Sequence, residues 1–582
     1  MGPDALKHDF FDEFDDTDEL PSIPDPATRN ELTTLEGLSL NDQVVREFAD
    51  YRNVVFTRDV IIRNVRFAKG FSFSGARFLG RVVLNDVRVD PAKGCSAAFS
   101  GAVFSQQFKA SRDCRLYRTD FSGAIFHGIA IFKGVKFLAS ARFEGTTFNA
   151  CNFSRAVFSG AGIFNDAKFQ SSADFEAATF RYSISAARFK DAKFAGPAIF
   201  KNARFAGDAE FDSAVFNSGA TFFQAQFALE RAPSGEDDGE EPSAELAKTS
   251  ADLVISFAGA VFLADDDGDT VTFEGAKFGD RNFKRATTFD NAYFRSTKGE
   301  KAKRCVANFR EVDCLGPITF RGAQFQEFVR ADFSHSRFED NVDLGDCKFL
   351  SDALFEKCAF RDDIVLAQTQ FNSFPDFRQA TFNHYPNLAQ ASLPHFDKPR
   401  RGEERKVMVQ RLSTLRRLAN KVDDKRTEFA LLVRELKIEG GIASRLYGAF
   451  SNYGQSWARP AGWLIFLTII VFPLTYLANS GFVPTTNEEV VGFVAGERQS
   501  CPDAQNGTVI AAALELSMRN ALIVAAENNV RSERIANCLA SIGSGWHYSG
   551  LMMTLLEALQ TIATLVLVFF IGAAIRRRLQ MR

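Results

Sequence analysis

From about residue 54 to 385 the apolar positions of this chain recur every five or six residues. That spacing matches neither the 3.6-residue turn of a helix nor the two-residue alternation of a strand. Between Phe121 and Phe227 twenty Phe keep the register, with eleven intervals of five residues, seven of six and one of nine. Ala stands two residues before fifteen of them, and Thr119, Val135, Thr146, Cys151 and Gly162 hold that place before the other five. In FAGDAEFDSAVFNSGATFFQAQF the beat falls on Phe205, Phe211, Phe216, Phe222 and Phe227. The pattern predicts a wound backbone with four short sides per coil. One large residue per side points into the axis, and the residue two before it also faces in and is small because the tube is narrow. The three remaining positions, mostly Asp, Asn, Ser, Gly, Lys, Arg and Gln, point out. Each coil then hydrogen-bonds to the next at roughly 4.8 Å. The stacked rings form columns that no single coil could bury alone.

The register restarts after breaks. The polar, acidic segment 228–253 reads as a surface loop. The beat resumes at SFAGAVF (256–262), pauses at ADDDGD (264–269) and continues to about Phe382. Asp265, Asp266, Asp267 and Asp269 lack the spacing and closing Glu of a calcium loop, so a solvated turn is expected. About 300 repeat residues at some 21 per coil predict a rod roughly 65 Å long. AGDAEF, ADFEAATF and AKFAGPAIF each carry a small residue, any residue, a large apolar residue and two more. In this the chain resembles the pentapeptide-repeat proteins over more than half its length, residues 54–390. The resemblance implies a β-solenoid, a right-handed quadrilateral β-helix. The frequent six-residue step departs from the strict unit and predicts bulged corners.

Composition narrows the picture. The chain has 62 Phe against 9 Tyr and 3 Trp, as a repeated slot that takes Phe requires. Residues 1–50 hold 14 acidic against 3 basic residues, so 1–53 read as an acidic disordered tail and N-terminal cap. Its start has no positive segment leading into an apolar run, so no secretory signal peptide is expected. Some pentapeptide-repeat proteins protect gyrase by mimicking DNA with an acidic surface. Residues 51–400 carry 45 basic and 43 acidic residues, which leaves such mimicry little charge and gives no nucleic-acid grip either. Seven of the nine Cys precede residue 400 without a CxxC or accompanying His, so no metal site is expected.

After residue 390 the code changes. Val407, Val409, Leu412, Leu415 and Leu418 fall mainly on one helical face, and DDKRTEFALLVRELKIEGG predicts a second helix stopped by Gly440–Gly441. Residues 391–458 thus form a helical neck, expected as an antiparallel pair capping the open end of the β-helix. The segment 459–582 is a membrane module, with spans at 461–478 and 557–575. Positive charge flanks the start of the first and the end of the second, whereas the loop between them has four Arg against seven acidic residues. The positive-inside rule places the β-helix and the C-terminus in the cytoplasm. The loop then faces the oxidising side, where Cys501 and Cys538 are either disulfide-bonded or both free. Within it, 508–528 is an apolar helix interrupted by Glu515 and Arg519, suited to a re-entrant or interfacial position.

A span, a short inserted helix and a second span is the plan of two-span ion channels. The neck, SNYGQSWARP and LLEALQTIATLVLVFFIGAAIRRR also resemble the C-terminal module of bacterial membrane-anchored pentapeptide-repeat proteins. That resemblance implies a multi-pass protein of the bacterial inner membrane. The chain lacks the TVGYG filter that strips water from potassium, and AENNV stands near its place. Glu515, Arg519, Asn520, Glu557 and Gln560 are the polar residues that would line a pore or the membrane loop; interfacial placement is the simpler expectation for Glu557 and Gln560. There is no GxSxG, Walker loop, HExxH or dinucleotide fingerprint, and the six His are scattered. No catalytic set assembles, so neither enzyme activity nor a cofactor is expected. Two functions remain: a cytoplasmic scaffold with an unknown protein partner, or an ion-channel-like pore regulated by the β-helix. A homo-oligomer is expected for the second, because two spans cannot enclose a pore alone.

Overall fold

In this computed structural model the residues described are 33–92, 94–181, 187–228, 253–264, 269–279, 284–296, 305–394, 405–479, 491–494, 497–500, 509–521, 535–536, 539 and 549–580. They divide into two compact units: a solenoid unit that includes Thr414–Asp424, and a helical unit that takes in the start of the helix Arg405–Lys421, up to Ser413, and the chain from Lys425 onward.

The first unit is a parallel β-solenoid whose strands are mostly two residues long. Through the middle of the solenoid each strand pairs with the fourth strand after it: Gly162–Ile163 with Ala187–Arg188, Lys168–Phe169 with Lys193–Phe194, Ala173–Asp174 with Ala198–Ile199, and Thr179–Phe180 with Arg204–Phe205. Four strands therefore make one coil, and one side is a 13-stranded parallel sheet. The ladder already begins at Thr34–Leu35, within the segment read as tail and cap. Phe205 lies directly below Phe227, so the stretch from 205 to 227 is one coil.

The mixed steps of five and six come from two kinds of corner. At one kind the N–H of the small residue returns to the carbonyl of the Phe three before it, as Ala156 to Phe153 at 3.0 Å, with Arg155 between them at φ 57°. This is a tight turn with a left-handed third residue, and it consumes five residues. At the other kind the chain bends without a left-handed residue and uses six. There Gly160 sits so close to the coil below that a Cβ would lie 2.4 Å from the Ala139 carbonyl carbon. The corners alternate, so the chemical period is eleven: Arg155, Asp166 and Ala177 all have φ between 55° and 57°. Most six-residue steps are thus bends that alternate with tight turns, and the ladder shifts register, as a bulge does, between Phe126 and Ile129 and between Asp269 and Val271. An L-residue pays for the left-handed region through its Cβ. Ala177→Gly is expected to raise solenoid stability by about 0.5–1 kcal/mol, seen as a higher calorimetric midpoint.

Two side-chain devices tie off the turns. An Asp or Asn just before the Phe accepts the N–H two residues on, as Asp174 from Glu176 at 2.9 Å and Asn152 from Ser154 at 2.9 Å. The small residue after the turn, when it is Thr, Ser or Cys, donates to the turn carbonyl of the coil below: Thr146 to Phe121 at 2.7 Å, Ser336 to Phe309 at 2.7 Å and Cys358 to Phe333 at 2.9 Å. The outward strings of Asp and Asn in this repeat are in part structural.

The axis is filled. Phe205, Phe211, Phe216, Phe222 and Phe227 are all fully buried. Within a column the rings stack, with Phe222 at 4.9 Å from Phe200 and 4.7 Å from Phe273. Between columns they meet edge to face, with Phe211 and Phe222 at 5.4 Å and 88°. Each such pair contributes about 0.5–1.5 kcal/mol beyond area burial. Phe211 stacks on Phe257 at 4.8 Å and 2°, although residues 229–252 intervene in sequence. The column is unbroken across the insertion because the chain leaves and returns at one corner. Those residues lie outside the described part, as do Asp265, Asp266 and Asp267.

Seven Cys occupy buried positions in the solenoid. Burial pushes the Cys358 thiol from 9.0 up to about 12, and it also raises Cys114, Cys151, Cys314 and Cys347. The folded state therefore keeps the protonated thiol, whereas the unfolded chain ionises from about pH 9. The stability contributed by Cys358 is fully present below pH 9 and is lost as pH rises towards 12, by up to about 1.4 kcal/mol per pH unit, and the other four raised thiols act in the same direction. Native protein treated with maleimide at pH 8 is expected to label none of these seven. Labelling of any one without denaturant would contradict their burial.

The second unit is helical. Helices cover Lys425–Glu439, Ile442–Ser451, Ala458–Asn479, Val509–Ala521 and Ser549–Gln580, and a further helix, Arg405–Lys421, precedes them. Gly440, at φ 66°, ends the helix 425–439. Ala458–Asn479 and Met552–Arg576, of 22 and 25 residues, are long and apolar enough to cross a membrane. At 1.5 Å per residue they exceed the roughly 30 Å hydrocarbon layer.

Candidate functional site

Polar residues gather where the helix 509–521 packs between the helices 458–479 and 549–580. The apolar frame comes from Phe472, Ala512, Ala513, Leu516 and Met553. Ala512 and Ala513 are small enough for close backbone approach between helices.

Pro473 explains the first polar contact. A proline has no N–H and clashes with the carbonyl one turn earlier. Before it, residues 467–471 widen into a π-turn, and the N–H of Phe472 reaches back to Leu467. The Thr468 carbonyl would next look to residue 473, which has no N–H to give. The Ser517 hydroxyl from the inserted helix donates to it instead, at 2.6 Å. Such π-turns recur at functional sites.

Gln560 completes the cluster. Its amide donates to the Ser517 carbonyl at 2.7 Å and to the Ser517 hydroxyl at 2.9 Å, and its side-chain oxygen accepts from the Tyr476 hydroxyl. Asn520 donates to that hydroxyl at 3.4 Å. Tyr476, Ser517 and Gln560 are all fully buried. Gln560 therefore ties one residue from each of the other two helices, Ser517 and Tyr476, into one cluster, as an apolar surrounding demands of polar groups.

Of the residues singled out from the sequence, the structure brings Asn520 and Gln560 together. Glu515 and Arg519 form an ion pair one helical turn apart at 2.7 Å, with 15% and 20% of their side chains exposed. Glu557 is half-buried, and its carbonyl accepts the Thr561 hydroxyl at 2.9 Å. Cys501 and Cys538 lie outside the described residues. Thr468, Tyr476 and Ser517 were not anticipated. The available signal was Pro473 inside an apolar run, which implies an orphan carbonyl, with Ser517 as the nearest small hydroxyl on the inserted helix. Among the described residues Asp362, Asp363 and His384 also come together, His384 Nδ1 lying 3.4 Å and 3.2 Å from the two carboxylates.

The fold defines a class: a parallel β-solenoid of four-sided coils, filled along its axis by Phe and Ala and followed by two helices fit to cross a membrane. The family profile described as pentapeptide repeats (9 copies) matches residues 112–157 and 184–226, so the solenoid is built of pentapeptide repeats. No curated protein and no solved structure matches the chain.

Proposed function

We propose that this protein is a non-enzymatic interaction platform held at the bacterial inner membrane by two spans, with the solenoid and the C-terminus in the cytoplasm. The observation that supports it most is the filled axis. Phe and Ala occupy the inward positions, so a partner can be recognised only by the outward residues or by the insertion at 229–252. Repeat rods of this kind offer long flat surfaces to protein partners. The Arg at both outer ends of the two spans supports the cytoplasmic orientation. No nucleic-acid partner is proposed, because the repeat is nearly neutral.

The polar cluster favours a second reading, an oligomeric ion-channel-like pore with the solenoid as its regulatory part. A tether needs one span, whereas here an inserted helix with a Glu515–Arg519 pair is locked between two. Purified full-length protein in planar bilayers separates the readings. A platform gives no unitary conductance under any voltage or ion, and it is free to be monomeric in detergent. Conductance altered by Glu515→Gln or Arg519→Gln would overturn the platform and require an oligomer.

A further inference from the structure

The short helix Ile442–Ser451 is apolar on two faces, one packed and one exposed. One face packs: Tyr447 meets Phe570 of the last helix at 5.3 Å, Phe450 meets Trp463 of the first span at 5.6 Å, and Ser451 is fully buried. The other face carries Ile442, Leu446 and Ala449, spaced by four and three residues and so on one stripe. Ile442 is 81% exposed and Leu446 is 52% exposed. A helix that already buries one face against protein normally turns charge outward, and an apolar outer face demands another apolar medium.

Its place indicates which medium. Trp463 lies four residues after Arg459 at the start of the first span, and Phe570 lies six residues before Arg576 near the end of the second. The helix is thus held against the arginine-bearing ends of both candidate spans. Arg445 flanks the stripe and is exposed, as are Arg459, Arg576 and Arg578. Trp457 and Trp463, 47% and 38% exposed, add the aromatic side chains that favour the headgroup level. The apolar stripe is also continuous in character with the exposed faces of the spans, Ile465 and Phe466 on the first and Phe569 on the second.

We infer that helix 442–451 is an interfacial anchor that lies in the leaflet at the basic ends of the spans. Ile442 and Leu446 enter the acyl boundary, and Arg445, Arg459, Arg576 and Arg578 gather anionic phospholipid headgroups around it. The arrangement joins an apolar face to a cationic rim, the combination by which surface helices select anionic lipid. The inference rests on the proposed membrane insertion of the two spans.

Tryptophan quenching in reconstituted full-length protein tests it. With Trp457, Trp463 and Trp546 replaced by Phe, a single reporter is introduced as Leu446→Trp, and in a separate protein as Ile442→Trp. A third protein carries Leu565→Trp, at a 51% exposed position midway along the last helix. Vesicles contain mixed phosphatidylcholine and phosphatidylglycerol, with brominated acyl chains on one or the other at equal mole fraction. The expected result is quenching of the 446 and 442 reporters by brominated lipid, protection from aqueous acrylamide, and about twofold stronger quenching by the brominated anionic lipid. Arg445→Gln with Arg459→Gln should bring that ratio towards one. Quenching by acrylamide alone would mean water covers the stripe, and quenching by neither would mean a protein surface covers it; both overturn the inference. Equal quenching by the two lipids would overturn its anionic part. The 565 reporter keeps the tests separate, because its quenching by lipid shows inserted spans whatever the 446 reporter does.

Discussion

Phe222→Ala is expected to lower the stability of the solenoid by about 3–5 kcal/mol. Phe222 is fully buried, stacked at 4.9 Å on Phe200 and 4.7 Å on Phe273, and met edge-on at 5.4 Å by both Phe211 and Phe257. Truncation removes these contacts and two more, with Phe216 and Phe227, and leaves a void that the neighbours cannot fill, because hydrogen bonds to the coils on either side fix each backbone. A stacked repeat is stabilised mainly by contacts between neighbouring coils, so the damage falls on two interfaces at once. Calorimetry of the full-length protein in detergent should show the solenoid transition move down strongly or split in two. A shift equivalent to less than about 1 kcal/mol would mean that the column collapses into the void and is not a rigid stack. Tryptophan fluorescence is a useful internal control here, since all three Trp (457, 463 and 546) lie after the repeat.

Gln560→Leu should cost the helical unit about 2–3 kcal/mol. A single hydrogen bond between membrane helices contributes about 0.6 kcal/mol on average and about 1.7 at most. Gln560 makes three, to both oxygens of Ser517 and to Tyr476, and its loss leaves fully buried partners behind. Leu is close to Gln in size, so the effect reads the hydrogen bonds and not a cavity. Unfolding in mixed micelles with increasing dodecyl sulfate, followed by tryptophan fluorescence, measures it. A double-mutant cycle with Ser517→Ala should show strong coupling. Additive effects would mean that the two residues do not act as one cluster.

The solenoid was legible because its signal is periodic and redundant. Twenty Phe in register, with a small residue two before each, constrain the backbone to four short sides far more tightly than any single residue could. The corner chemistry was not legible. Six-residue steps suggested bulges, whereas most are bends that alternate with tight turns, as where Gly160 lies against the backbone of Ala139. A count of intervals cannot tell a bulge from a bend, since both add one residue. The apolar helices were legible for the reason any long uncharged run is, but the polar cluster was not. Gln560 was noticed for being polar near an apolar run, yet its partners Ser517 and Tyr476 are 43 and 84 residues away.

By itself, then, the sequence determined everything that depends on local repetition: the coil, its Phe columns, the restart after residue 252 and the two apolar helices. Periodicity is a short-range property, and each coil repeats the same physical problem of filling a narrow axis. Only the tertiary structure decided what depends on single encounters between distant residues. The Thr468 carbonyl, stripped of a donor by Pro473, finds the Ser517 hydroxyl across 49 residues of chain. The helix 442–451 shows an unpaired apolar face only once its other face is seen against Phe570 and Trp463. Such pairings are set by which surfaces meet in space, and no period in the chain encodes them.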